Sequence, residues 1–201
     1  MANKGMNTTA DWLEMGEYRR LLQCLRDDKE YLWETYATLA FCTGCRISDV
    51  LTFKWKDVLA ENNAVKEKKT GKTRKITFSE STQRRIADLY GLLGCPDREW
   101  QVFRSTQHKK NDPYSLAPYT RQYVNQVFKE FKRRYGIKIG NFSSHTFRKT
   151  FGRYVYDSMG RTEESLTLLN KIFKHSSIVV TKTYIGITDD EVKGVYESIE
   201  F

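Results

Sequence analysis

The 201-residue sequence is short of the residues that mark several large function classes. It has 3 prolines, 3 histidines and 4 cysteines. It holds no run of about eighteen apolar residues, so no helical membrane span is expected. Met1 to Asp11 carry no apolar core of the kind a secretory signal needs. The cysteines lie at Cys24, Cys42, Cys45 and Cys95. Cys42 and Cys45 form a C-x-x-C, but a zinc site wants a second close pair of ligands, and none is present. A redox pair usually opens a helix after a strand, whereas this one closes a helix. The thiols therefore read as reduced cysteines of a cytosolic or nuclear protein.

Other motifs are missing as well. Gly71-Lys72-Thr73 looks like the end of a phosphate-binding loop, but the glycine that motif needs is Lys66. No G-x-G-x-x-G follows a strand, no H-E-x-x-H occurs, and no G-x-S-x-G marks a hydrolase elbow. Asp189, Asp190 and Glu191 read as the acidic first turn of a helix rather than a metal cluster. No metal or cofactor site is expected from these residues.

What the sequence does have is positive charge and aromatic rings. Lys and Arg number 34 against 25 Asp and Glu, a net charge of +9, and 13% of residues are aromatic. Basic disordered tails lack aromatics, so the chain should fold, despite a mean hydropathy of −0.64. The charge suits a polyanion such as nucleic acid, and equally a surface charged for solubility.

The hydrophobic spacing is mostly helical. Trp33, Tyr36, Ala37, Ala40 and Phe41 make the stripe of a buried helix face. Ile86, Leu89, Tyr90 and Leu93 repeat it after a cap at Ser79 or Ser81. A third stripe is Val124, Val127, Phe128, Phe131 and Tyr135, ended by Gly136. Phe147, Phe151, Tyr154 and Val155 give a fourth. A first helix is expected from about Glu14 to Arg26, another around Leu168 to Phe173, and a last from Thr188, which has capping-box spacing to Glu191. Trp55 to Val58, Ala64 to Lys68 and Arg74 to Phe78 are β-prone, and Lys69 to Thr73 reads as a hairpin turn. The stretch 96–118, which holds all three prolines, reads as a surface loop. The expected fold class is mainly α with a small antiparallel β-sheet, in one compact domain.

Three segments carry candidate chemistry. In Thr43-Gly44-Cys45-Arg46-Ile47-Ser48-Asp49, Gly44 ends one helix and Arg46 opens a short one, a favourable place for an anion. In His145-Thr146-Phe147-Arg148, the i, i+3 spacing aims imidazole and guanidinium the same way, on a side other than the apolar face that begins at Phe147. That pairing suits an oxyanion, or is simply a surface His beside a surface Arg. In His175-Ser176-Ser177, either serine can cap a short helix that brings Tyr184 near its end.

Taken together, these segments resemble the tyrosine recombinase, or phage integrase, family. The first resembles its T-G-x-R-I-S-E box, Lys69-Thr70-Gly71 falls on its hairpin lysine, and His145-x-x-Arg148 matches its H-x-x-R box. Lys174-His175-Ser176-Ser177 resembles L-G-H-S-S, and Tyr184 follows His175 by the family's usual nine residues. The sequence departs from the pattern at Cys45, at Asp49, at Lys149 where a histidine is frequent, and at Lys174 where a glycine is usual. No catalytic position is lost.

The resemblance implies DNA strand cleavage and rejoining through a 3′-phosphotyrosine, with no metal or nucleotide cofactor. Arg46 and Arg148 would hold the phosphate and Tyr184 would attack it. His145 would serve as general base, Lys69 as general acid, and His175 as a hydrogen-bond donor to the phosphate. Lys72 and Arg74, beside the hairpin lysine, are the expected DNA contacts; the cluster Lys129, Lys132, Arg133, Arg134 and Lys138 is equally read as solvated surface. The implied partner is double-stranded DNA, with a homotetramer on it and no membrane, in the cytoplasm of a bacterium or its phage, at the nucleoid. Residues 1–13 read as a linker, 14–187 as the catalytic domain and 188–201 as a tail helix, without the separate DNA-clamping domain that family members usually carry in front. Two other readings are a DNA-binding module of this fold without turnover, and a type IB topoisomerase.

Overall fold

The computed structural model describes residues 10–60, 63–66, 73–109 and 112–187. Its helices follow the stripes. Helix α1 (Met15–Asp27) buries Tyr18, Leu21, Leu22 and Leu25. Helix α2 (Tyr31–Thr43) is buried along nearly its whole length and forms the axis of the domain. Two short helices follow, α3 (Ile47–Val50) and α4 (Trp55–Val58). Strands β1 (Asn63–Lys66) and β2 (Thr73–Ile76) pair antiparallel, with Asn63 opposite Ile76 and Lys66 opposite Thr73. Then come α5 (Glu80–Leu92), a second antiparallel pair β3 (Arg104–Lys109) and β4 (Asp112–Pro118), and helices α6 (Arg121–Arg134), α7 (Ser144–Ser158), α8 (Glu163–Phe173) and α9 (Ile178–Ile185).

The fold is mainly α with small antiparallel β elements, as expected. Two details differ. Trp55–Val58 is helical, not extended: Trp55 and Val58 lie three apart on one buried face, and tertiary burial outweighs their β propensity. The 96–118 stretch is also more than a loop, because 104–109 and 112–118 pair antiparallel.

The starts of α5 to α9 carry side-chain caps, whereas those of α1 to α4 do not. Ser79 accepts from the Thr82 amide, Thr120 from Tyr123, Thr162 from Ser165 and Ser177 from Val180. Ser143 and Thr146 form a reciprocal capping box at the start of α7. Each such cap stabilises its helix by about 1 kcal/mol.

The core is aromatic. Tyr36 of α2 meets Phe103 and Phe128, each at 5.2 Å between ring centroids, and Phe128 meets Phe147 of α7 at 5.2 Å. At one polar point the core is bolted by charge. Glu34, fully buried on α2, accepts from Arg26 of α1 at 2.7 and 2.9 Å and from Arg85 of α5 at 2.7 Å. The basic end of α6 is largely committed to the fold as well. Arg134 pairs with Glu30 and Glu130, and the Lys132 amine donates to the Gly140 carbonyl at 2.6 Å.

A second, smaller cluster of Leu166, Leu169, Phe173 and Ile185 joins α8 and α9. Gly152 lets α7 press against it: a Cβ there would stand 2.7 Å from Ile185 and 3.0 Å from the Phe173 ring. This contact brings the end of α9 up to the arginine-bearing helix.

Candidate active site

Gly44 closes α2 in the left-handed conformation, at φ 57°. A Cβ at this position would also collide with the Phe151 ring at 2.6 Å. The turn delivers Arg46 to the start of α3, and Arg46 Nη2 donates to the Phe173 carbonyl at 3.0 Å. Arg148, on α7, donates to the same carbonyl through Nη2 at 3.0 Å and to the Gly44 carbonyl through Nη1. Phe173 is the last residue of α8, so its carbonyl has no partner within the helix and lies at the negative end of the dipole. Its ring lies under the Arg148 guanidinium at 4.2 Å. One residue thus supplies both the shared acceptor and the platform.

Lys174 then takes the left-handed conformation, at φ 53°, and turns the chain into His175. His175 Nδ1 lies 3.1 Å from the Thr181 hydroxyl, which Asn170 also reaches at 3.2 Å. Burial, then the charges of Arg148 and Arg46, push the His175 pKa down to about 4. The ring is neutral at pH 7. In the tautomer where the Thr181 hydroxyl donates to Nδ1 rather than to the Ser177 carbonyl at 3.4 Å, the proton sits on Nε2 and the ring is a hydrogen-bond donor.

Tyr184 is near the end of α9. Its ring meets His175 edge-on at 5.0 Å and Phe173 edge-on at 5.4 Å. Among the described residues its buried hydroxyl makes no hydrogen bond of good geometry, although the Arg148 guanidinium stands close enough to act on it. Burial raises the phenol pKa, while Arg148 and Arg46 pull it down. His145 lies in the first turn of α7 with its edge exposed to solvent. Desolvation by its neighbours lowers its pKa, aided by the charges of Arg148, Arg121, Lys149 and Arg46. His145 and Tyr184 line one cavity of about 490 Å³, together with Lys149, Val179 and Val180.

The fold therefore draws Arg46, Arg148, His175 and Tyr184 around Phe173, with His145 at the rim of the adjoining cavity. Arg148 differs from the sequence expectation: it is buried, where an outward face beside His145 was expected. Arg74 lies on β2 opposite Val65. Lys69, Lys72 and the tail from Thr188 lie outside the described residues. Sequence reasoning missed Phe173, whose apolar side chain gives no sign of what its carbonyl does. It also missed Thr181 and Asn170, which hold His175.

Comparisons with known proteins place the fold. The phage integrase family model matches residues 11–191. The chain belongs to that family. A curated relative, the probable integrase/recombinase YoeC of Bacillus subtilis (strain 168), is 30% identical over 185 residues, covering 89% of this chain and 93% of that protein. The phage integrase fold recurs in the crystal structure of XerA recombinase, with a TM-score of 0.69 at 18% identity over 96% of this chain and 67% of that one. It recurs in a lambda integrase dimer bound to a COC′ core site, with a TM-score of 0.64 at 18% identity over 92% of this chain and 50% of that one. Membership makes the chain a tyrosine recombinase catalytic domain, of a family that cleaves and rejoins DNA through phosphotyrosine. Among the described residues, no helix is long and apolar enough to cross a membrane.

Proposed function

We propose that Tyr184 is the nucleophile of a site-specific DNA strand transfer, with Arg46 and Arg148 as the phosphate clamp. The observation that carries this is the meeting of both guanidiniums at one point beside the Tyr184 ring. A phosphodiester is already anionic, and attack adds charge to its non-bridging oxygens. Guanidiniums stay charged at any working pH and donate in a fixed fork. Fixed donors of this kind contribute a large share of catalysis at oxyanion sites.

In the proposed step, Tyr184 Oη forms a bond to phosphorus as the bond to the 5′-oxygen breaks. His145, kept neutral by its surroundings, takes the phenol proton. Lys69 gives a proton to the leaving 5′-oxygen, and His175 Nε2–H donates to the phosphate. The 3′-phosphotyrosine conserves the bond, so a 5′-hydroxyl from another strand reverses the step without an energy source. Lys72 and Arg74 are proposed to contact backbone phosphates. The proposed partner is double-stranded DNA, engaged as a homotetramer in a bacterial cytoplasm.

The test uses nicked suicide duplexes tiled across the DNA flanking the gene. Wild type should form a covalent adduct stable to denaturation, and Tyr184→Phe should form none. An equal adduct from Tyr184→Phe overturns the assignment. Salt-dependent binding with no adduct from either protein would favour a DNA-binding module, and unspecific relaxation of supercoiled plasmid a type IB topoisomerase.

A further inference from the structure

Lys149 follows Arg148 on α7 and has no part in the step just described. It is 6% exposed. Among the described residues its amine makes no hydrogen bond or ion pair. A lysine so placed is unusual, because withdrawing an ammonium from water is costly unless something compensates. The groups around it are few. Asp11, in the segment before α1, is the one acid that raises its pKa; the Asp11 carboxylate also accepts from the Asn141 amide at 3.1 Å. His145 and Arg148 stand on its own helix, Arg46 also acts on Tyr184, and His175 meets the Tyr184 ring edge-on at 5.0 Å. From α9 the facing group is Tyr184 itself, with Lys149 Nζ 5.5 Å from its ring centroid. Lys149 and Tyr184 also share the wall of the 490 Å³ cavity.

An ammonium over an aromatic face is drawn to the ring's quadrupole, and more strongly when the site is desolvated. The attraction grows when the ring becomes a phenolate, because it then acts on a full charge. We infer that Lys149 is a positioning residue for Tyr184, holding the ring in the site and favouring its ionised form. The inference rests on reading Tyr184 as the nucleophile. Burial lowers the amine pKa and raises the phenol pKa, which marks both groups as desolvated and so strengthens any attraction between them.

The experiment measures the phenol directly and needs no DNA. The full chain is made with 3,5-difluorotyrosine at position 184, whose more acidic phenol titrates under milder conditions, and is followed by fluorine NMR. Lys149→Met should raise its pKa by about one unit, and Lys149→Arg, which keeps the charge, should leave it close to wild type. At neutral pH the same unit should appear as a roughly tenfold slower adduct in unlabelled Lys149→Met, restored in Lys149→Arg. A merely structural lysine would change stability and leave the titration in place. Identical titrations in wild type and Lys149→Met overturn the inference. Failure of the nucleophile reading is separate, since it appears as the absence of a Tyr184-dependent adduct in wild type.

Discussion

Arg46 and Arg148 donate to one and the same acceptor, the Phe173 carbonyl, each at 3.0 Å. They differ in how deeply they are built in. Arg148 is buried and also holds the Gly44 carbonyl, whereas Arg46 is half-buried. Arg148→Ala should therefore destabilise the fold by about 2–4 kcal/mol, since it leaves buried carbonyls short of a partner. Arg46→Ala should lower stability by about 1 kcal/mol or less. Both should cut adduct formation at least about 100-fold. Urea unfolding beside the suicide-duplex assay separates the two effects. A severely unstable Arg46→Ala would contradict this division of roles.

Among the described residues the buried Tyr184 hydroxyl makes no hydrogen bond of good geometry, only a looser approach to Arg148, an arrangement that stability alone would not favour. Tyr184→Phe should accordingly be as stable as wild type or more so, by up to about 1 kcal/mol, while losing all adduct. Thermal unfolding and the adduct assay on one preparation test the pair of outcomes. A destabilised Tyr184→Phe would mean that the hydroxyl has a partner in solution.

His175 has a folded-state pKa near 4, below its unfolded value of about 6.5. Its sign follows from linkage: between those values the unfolded chain binds the proton and the folded chain does not. The neutral ring's contribution is thus fully present above about pH 6.5 and is lost as pH falls toward 4. His145, also shifted down, adds to the loss with the same sign. Unfolding free energy should fall more steeply over this window in wild type than in His175→Gln. Equal slopes would show that His175 is as well solvated folded as unfolded.

Glu34 is fully buried and pairs with both Arg26 and Arg85, of which Arg26 also pairs with Asp88. Glu34→Gln should destabilise by about 3 kcal/mol, because it leaves two guanidiniums facing a neutral amide. The loss stays at the low end for a buried pair, since both arginine side chains retain some solvent access. Measured at a temperature where the variant is folded, its adduct rate should match wild type, as the side-chain partners of Glu34 are Arg26 and Arg85 and none of the site residues.

These features were unequally legible in the sequence. Helix stripes such as Tyr18, Leu21, Leu22 and Leu25 were readable because burial imposes a 3.6-residue period on side chains. Arg46, His145, Arg148, His175 and Tyr184 were readable as candidates because their residue types and spacing are themselves the signal. Trp55–Val58 misled because a single helical turn is too short to show a period. The strands 104–109 and 112–118 hid behind Pro113, Pro118 and a polar composition without alternation. The Phe173 carbonyl could not be foreseen, since a backbone acceptor has no letter of its own. Lys149 was visible only as an oddity in a box, and its place over Tyr184 depends on the α7–α9 packing.

That packing rests on Gly152, where two effects oppose one another. Replacing a mid-helix glycine by alanine normally stabilises by about 1 kcal/mol. Here the new methyl would meet Ile185 at 2.7 Å and the Phe173 ring at 3.0 Å, and both side chains are fully buried and unable to swing away. Overpacking of this kind costs about 1–3 kcal/mol, so the clash should win and Gly152→Ala should be destabilised by up to about 2 kcal/mol. The strain falls on the residue that holds both arginines and on the neighbour of Tyr184, so adduct formation should drop more than stability does. Gly91→Ala is the control, since among the described residues nothing beyond its own helix backbone and chain neighbours lies within 4 Å of a Cβ there. It should gain helix stability and keep its adduct rate. If Gly152→Ala behaved like Gly91→Ala, the close contact of α7 with α9 would not be what sets the position of the nucleophile.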